Sequence, residues 1–102
     1  MNLYHGGTDI IKTPIIRSQS QGRDFGLGFY CTDIQNQAEK WALRQARIRK
    51  EKAVLNCYSL DMGFALQKLV FMAANNQYCF CTEKSLTYLK YIKSTNLEYY
   101  GT

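Results

Sequence analysis

Asp24-Phe25-Gly26-Leu27-Gly28-Phe29-Tyr30-Cys31-Thr32-Asp33-Ile34-Gln35-Asn36-Gln37-Ala38-Glu39-Lys40-Trp41 runs from a glycine-flanked aromatic strand straight into a helix. Gly26 and Gly28 carry no β-carbon, so a flat ligand can approach the backbone there. Tyr30 then offers a face to stack on. Thr32, Asp33 and Gln35 suit the start of a helix by capping. That helix carries Trp41, eleven residues after Tyr30. Folded back onto the strand, it brings two aromatic faces about 7 Å apart, a slot for one planar ring in which a pyridinium cation gains further from the ring quadrupoles. The same two rings equally suit an ordinary core.

Outward from this unit the pattern alternates between strand and helix. Ala38, Trp41, Ala42 and Ala46 recur at helical spacing, while Lys40, Arg44 and Arg47 point elsewhere, which predicts an amphipathic helix from Asp33 to about Lys52. Upstream, residues 2–5 read as a short strand ending in Gly6-Gly7, followed by a polar loop with Pro14 and Ser18-Gln19-Ser20-Gln21-Gly22. Residues 28–32 form the Tyr30 strand. Downstream, Ala53 to Leu60 has strand composition and Asp61-Met62-Gly63 closes it. A shorter helix is expected over Phe64 to Ala73 and a strand over 77–81. Thr82 then caps a helix with a stripe of Leu86, Leu89 and Ile92, and Asn96 to Thr102 is expected to fray. Four strands and three helices make an α+β domain spanning residues 1–102.

The chain has 102 residues, 46% hydrophobic and 21% charged, the balance of one globular domain and not of a disordered or membrane segment. No apolar run approaches the ~18 residues of a membrane span, and Met1-Asn2-Leu3-Tyr4-His5 lacks the form of a signal peptide. A cytoplasmic location and no membrane partner are expected. Cys31, Cys57, Cys79 and Cys81 sit among β-prone apolar residues and read as reduced core thiols. Cys79 and Cys81 share a strand face with Gln77, but together with His5 they match no recognised ligand spacing, so no metal is expected. The net charge is +5, and Lys40, Arg44, Arg47, Arg49, Lys50 and Lys52 are concentrated in one stretch. They form either a solvated helix face or a surface for an anionic partner, nucleic acid or acidic protein.

Three stretches, in order, resemble the nicotinamide-binding motifs of ADP-ribosyltransferases, in particular the diphtheria-toxin-like and poly(ADP-ribose) polymerase-like branch. Leu3-Tyr4-His5-Gly6-Gly7-Thr8 is similar to the first motif, Gly26-Leu27-Gly28-Phe29-Tyr30 with Trp41 to the second, and Asn75-Asn76-Gln77-Tyr78-Cys79-Phe80 to the third. The third has Gln77 where the branch has glutamate. The resemblance looks closest to a group of short bacterial proteins of this superfamily.

It implies a compact or truncated split β-sheet with flanking helices, with NAD as co-substrate. By resemblance, His5 would bond the adenosine ribose, the Gly6-Gly7 backbone would hold the nicotinamide carboxamide, Gly28 would admit the ring, and Tyr30 and Trp41 would stack on it. Gln77 would stand in the catalytic position beside His5 and Tyr30. An amide can make the ribose hydrogen bond but carries no charge to offset an oxocarbenium-like state. That argues against polymer elongation and leaves mono-ADP-ribosylation, slow NAD glycohydrolysis or binding alone. Glu83 lies at an expected helix start, where a carboxylate is explained by the dipole, and Arg17 and Arg23, flanking the loop before the Tyr30 strand, could reach a pyrophosphate or simply be exposed arginines.

The resemblance further implies the toxin of a bacterial toxin and antitoxin pair, with an antitoxin protein as partner and a protein or nucleic-acid acceptor. Only sixteen residues separate Leu60 from Gln77, where the resembling proteins carry several more elements. Exposed strand edges, and hence a homo-oligomer, are expected from that deficit. Two alternatives remain: an inactive shortened relic that acts by binding, and a small basic nucleic-acid-binding protein.

Overall fold

The computed structural model describes residues 1–16, 28–61, 71–74 and 76–97. Among them run β1 (Asn2–Gly7), β2 (Phe29–Thr32), α1 (Gln35–Arg49), β3 (Ala53–Leu60), β4 (Phe71–Ala74), β5 (Gln77–Phe80), α2 (Glu83–Leu86) and β6 (Leu89–Leu97). The six strands form one sheet in the order β4-β5-β2-β1-β3-β6, every neighbouring pair antiparallel. The α+β expectation stands at this level.

Strand alternation divides the sheet into two faces. One carries Leu3, Phe29, Cys31, Tyr58, Leu60 and Phe80, which with Leu86 and Leu89 make the main buried cluster. The segment after β1 closes over this face: Ile11 and Ile16 pack on the cluster, and the Tyr58 hydroxyl donates to the Ile11 carbonyl. The wholly buried Asn56 holds the same segment, donating from Nδ2 to the Asp9 carbonyl (2.9 Å) and accepting at Oδ1 from the Ile11 N–H (3.0 Å) and the Ser94 hydroxyl (2.6 Å). A polar residue at a core position of a strand is tolerated because both ends of its amide are satisfied.

The other face is covered by α1, which lays Ala38, Ala42 and Ala46 against it with nothing exposed. Three alanines on one helical row let the backbone come close. A β-carbon built on Gly6 would lie 1.9 Å from the Ala38 carbonyl oxygen, so the glycine is what allows the helix to seat on β1. The start of α1 is fastened by Thr32, whose Oγ1 accepts from the Ile34 N–H (3.1 Å) and whose hydroxyl donates to Gln37 Oε1. Lys50 ends the helix in the left-handed conformation at φ 56°, its N–H donating to Ala46.

Several sequence expectations are corrected. Phe71, Met72 and Ala73, assigned to a helix over Phe64 to Ala73, belong to β4; residues 64–70 lie outside the described residues. The helix after Thr82 ends at Leu86, and its presumed stripe residues Leu89 and Ile92 lie in β6. The period misled here because β6 is an edge strand paired along its length to β3, with a register shift at Cys57/Tyr58 that disturbs a two-residue alternation. Asn96 and Leu97, expected to fray, pair with Val54 and Ala53. The described residues thus hold six strands and two helices, not four and three.

Candidate functional site between β1 and β2

β1 pairs with β3 at six positions, from Asn2↔Ser59 to Gly7↔Val54. With β2, among the described residues, it pairs only at Tyr4↔Thr32. Beyond Tyr4 the described residues show no further β1–β2 pairing, with Gly6 and Gly7 on one side of this stretch and Phe29 and Tyr30 on the other. His5 bridges the two sides. Its Nδ1–H donates to the Tyr30 carbonyl at 2.7 Å, and its ring stacks on Phe29 with centroids 4.3 Å apart and planes at 20°. Because a carbonyl can only accept, this bond fixes the tautomer at Nδ1.

The faces decide which candidate side chains meet. His5 lies on the core side with Phe29 and is buried, 7% exposed. Gly7 shares that side, a β-carbon built there lying 3.5 Å from His5 Nε2. Tyr30, one residue after Phe29, points to the α1 side. Register places Cys79 opposite Tyr30 and Gln77 opposite Thr32 on that same side, so Tyr30 and Gln77 are diagonal neighbours, roughly 7–8 Å apart at the backbone. Helical spacing puts the half-buried Trp41 on the flank of α1 that faces β2, the flank of Gln37 and its bond from Thr32. Tyr30, Gln77 and Trp41 thus share one side of the sheet, while His5 lies on the other and meets the Tyr30 backbone carbonyl. The expected constellation of His5, Tyr30 and Gln77 side chains is divided by the sheet.

Gly28 sits at the mouth of this region with φ 154°. A β-carbon there would lie 2.8 Å from Cys79 Sγ and 3.5 Å from Tyr30 Cε2, so the missing side chain is space shared by the sulfur and the ring. Cys79 in turn lies 2.8 Å from Cys81 Sγ. Burial pushes the Cys79 thiol up to about 11, helped by the hydrogen bond with Cys81 and opposed by one from Tyr30. Cys81 is exposed and not in the core as expected from sequence. With His5 on the far face, the two thiols make no site with it, and no group of three metal-ligating side chains occurs among the described residues.

The third motif has a second explanation. Ala74 pairs with Gln77, and just before Gln77 Asn76 takes φ 64°, a conformation asparagine tolerates and one that turns of this kind use; Asn75 lies outside the described residues. Glu83 stands in the first turn of α2 and its Oε1 accepts from the Ile16 N–H at 3.4 Å, a structural position. Arg17, Arg23 and Gly26 lie outside the described residues. On the α1 side a separate open groove of about 330 Å³ runs between α1 and β6, lined by Asn2, Tyr4, Glu39 and Lys93 among others, and contains none of the candidate residues. Sequence reading missed the link from Cys79 to Tyr30. Its only sequence signal was the shared strand parity of Gln77, Cys79 and Cys81.

No helix among the described residues is long and apolar enough to cross a membrane. No curated protein and no solved structure matches the chain. A family match covers residues 1–69, which take in β1, β2, α1 and β3 with His5, Tyr30 and Trp41 but not Gln77, and on that match the chain belongs to the family described as Protein of unknown function (DUF3990).

Proposed function

We propose that the chain is an NAD-binding, mono-ADP-ribosyltransferase-like domain whose nicotinamide pocket is the opening between β1 and β2. The observation that carries this reading is the loss of β1–β2 pairing beyond Tyr4↔Thr32, with the glycines of one motif and the tyrosine of another on its two lips. Gly6 and Gly7 present backbone that is laddered to β3 and to no described β2 residue, which suits a carboxamide. Tyr30 supplies one stacking face, Trp41 the second, and Gly28 the approach. His5 acts as a positioning residue that holds the Tyr30 strand at the width of the slot. Such a site orients the leaving nicotinamide while the bond to ribose breaks, and positioning supplies much of the acceleration.

Gln77, beside Tyr30, bonds a ribose hydroxyl without adding charge. Single transfer, slow hydrolysis of NAD and binding without turnover are the chemistries it permits. The acceptor is a protein or a nucleic acid, an antitoxin protein is a fitting partner, and a cytoplasmic location fits an NAD-dependent activity. β4 and β6, the outer strands among the described residues, fit self-association, and sedimentation at micromolar concentration should then give a dimer mass.

Thermal unfolding with and without millimolar NAD, on wild type and Tyr30→Ala, tests the reading. Ligand at about 100 times its dissociation constant adds about 2.7 kcal/mol, which raises the midpoint of a domain this small by roughly 10 °C or more. A shift that vanishes in Tyr30→Ala supports the slot; no shift in wild type overturns it.

A second reading rests on α1 alone. Lys40, Arg44 and Arg47 are exposed on its outer side, with Lys50 and Lys52 just beyond its end. Such a row suits phosphates, and binding through it would fall steeply with salt. Absence of any polynucleotide binding at low salt would remove this reading.

A further inference from the structure

We propose that Cys79 and Cys81 form a reversible dithiol–disulfide site across the strand pair from Tyr30. The two sulfurs are 2.8 Å apart, with no side chain between them. Cys79 is half-buried on the α1 side of β5, and Cys81 is exposed one residue past the strand end. Forming the bond asks the two Sγ atoms to close from 2.8 Å to about 2.05 Å. The bridge encloses a single residue, so loop closure adds least to its stability and the redox poise of the surroundings decides its state. Cys31 and Cys57 are buried within the sheet and serve as internal controls.

The chemistry balances with a low-molecular-weight disulfide as oxidant. Cys81, the exposed thiol, loses its proton to solvent and attacks one sulfur of the oxidant, forming a mixed disulfide and releasing one small thiolate that takes up a proton. Cys79 then loses its proton and attacks Cys81 Sγ. The protein bridge forms, the mixed bond breaks, and the second small thiolate leaves and is protonated. Two protein thiols are oxidised by two electrons and one small disulfide is reduced to two thiols.

The order follows from the environment. Burial disfavours the thiolate at Cys79, whereas the hydrogen bond from Tyr30 favours it. Closure draws the Cys79 sulfur toward Cys81 and out of the space beside Gly28 and the Tyr30 ring.

The test treats the full chain with oxidised glutathione and follows intact mass and peptide maps. Wild type should lose two hydrogens, with the bridge confined to Cys79 and Cys81, and recover them in dithiothreitol. Cys79→Ser should stop at one glutathione adduct on Cys81. A persistent glutathione adduct on wild-type Cys81 without closure would overturn the proposal, as would a bridge to Cys31 or Cys57. None of these readouts involves NAD, so their failure is distinct from failure of the nucleotide reading.

Discussion

The two seams of β1 are built differently. Toward β3 the strand is laddered along all six residues, and behind that seam Tyr58 and Asn56 fasten the segment after β1. Toward β2 it is paired at one position and then held by an imidazole. A ladder closes a sheet and leaves no room for a ligand; a side-chain bridge leaves the glycine backbone beside it unpaired toward β2. The contrast shows how one strand serves as structural spine on one edge and as the lip of a slot on the other.

The largest expected effect comes from the residue that seats α1 across both seams. Gly6→Ala forces a β-carbon into the Ala38 carbonyl, which is rigid helix backbone, and should cost about 3 kcal/mol or more, read as a lowered urea midpoint. Gly7→Ala, where the added carbon meets only ordinary contact with His5, should cost under about 1 kcal/mol. If the two variants are equally stable, the close approach of α1 to β1 is wrong.

Next is the bridge itself. His5→Ala removes the stacked ring from Phe29 and leaves the Tyr30 carbonyl without its donor, a loss of about 2–3 kcal/mol. Hydrogen exchange should then rise in β2 far more than in β3. Equal protection loss in both strands would mean that the seams do not differ as described.

The core side also predicts an alkaline limit. Burial pushes the Cys31 thiol and the Tyr58 hydroxyl well up, so both fold in the protonated form. The folded state binds the extra protons, so their contribution is complete below the unfolded values, about 8.5 for cysteine and 10 for tyrosine, and is lost as pH rises beyond them. Stability should decline from about pH 8.5 and more steeply past 10, by up to about 1.4 kcal/mol per pH unit for each group. Tyr58→Phe should flatten the part above pH 10. A profile level to pH 11 would contradict the burial.

The smallest effect lies at the end of α1. Lys50 holds a left-handed conformation that a β-carbon disfavours, so Lys50→Gly should stabilise by about 1 kcal/mol without touching either seam. A gain accompanied by a changed NAD response would link the helix end to the slot.

Local chemistry was legible in the sequence: Phe29-Tyr30-Cys31-Thr32 as a strand, the alanine row of α1, Ala53–Leu60 as β3 and Thr82 as a cap, the last seen as a capping box with Ser85. These depend on side chains within a few residues of one another. Leu89–Leu97 was not legible as a strand, because leucine and isoleucine spaced by three fit a helix equally well until β3 supplies the hydrogen bonds. Nor was Gly6 legible as the seat of α1, since the residue that needs its missing β-carbon is Ala38.

By itself the sequence determined the α+β class, the strand-to-helix unit around Tyr30 and the parity that puts Gln77, Cys79 and Cys81 on one face, because strand and helix periods act along the chain. Only the tertiary structure decided that His5 and the Tyr30 ring lie on opposite sides of the sheet, that β1 parts from β2, and that Cys79 meets Tyr30. Pairing register between strands far apart in the chain sets those relations, and a shift of one residue would reverse every one of them.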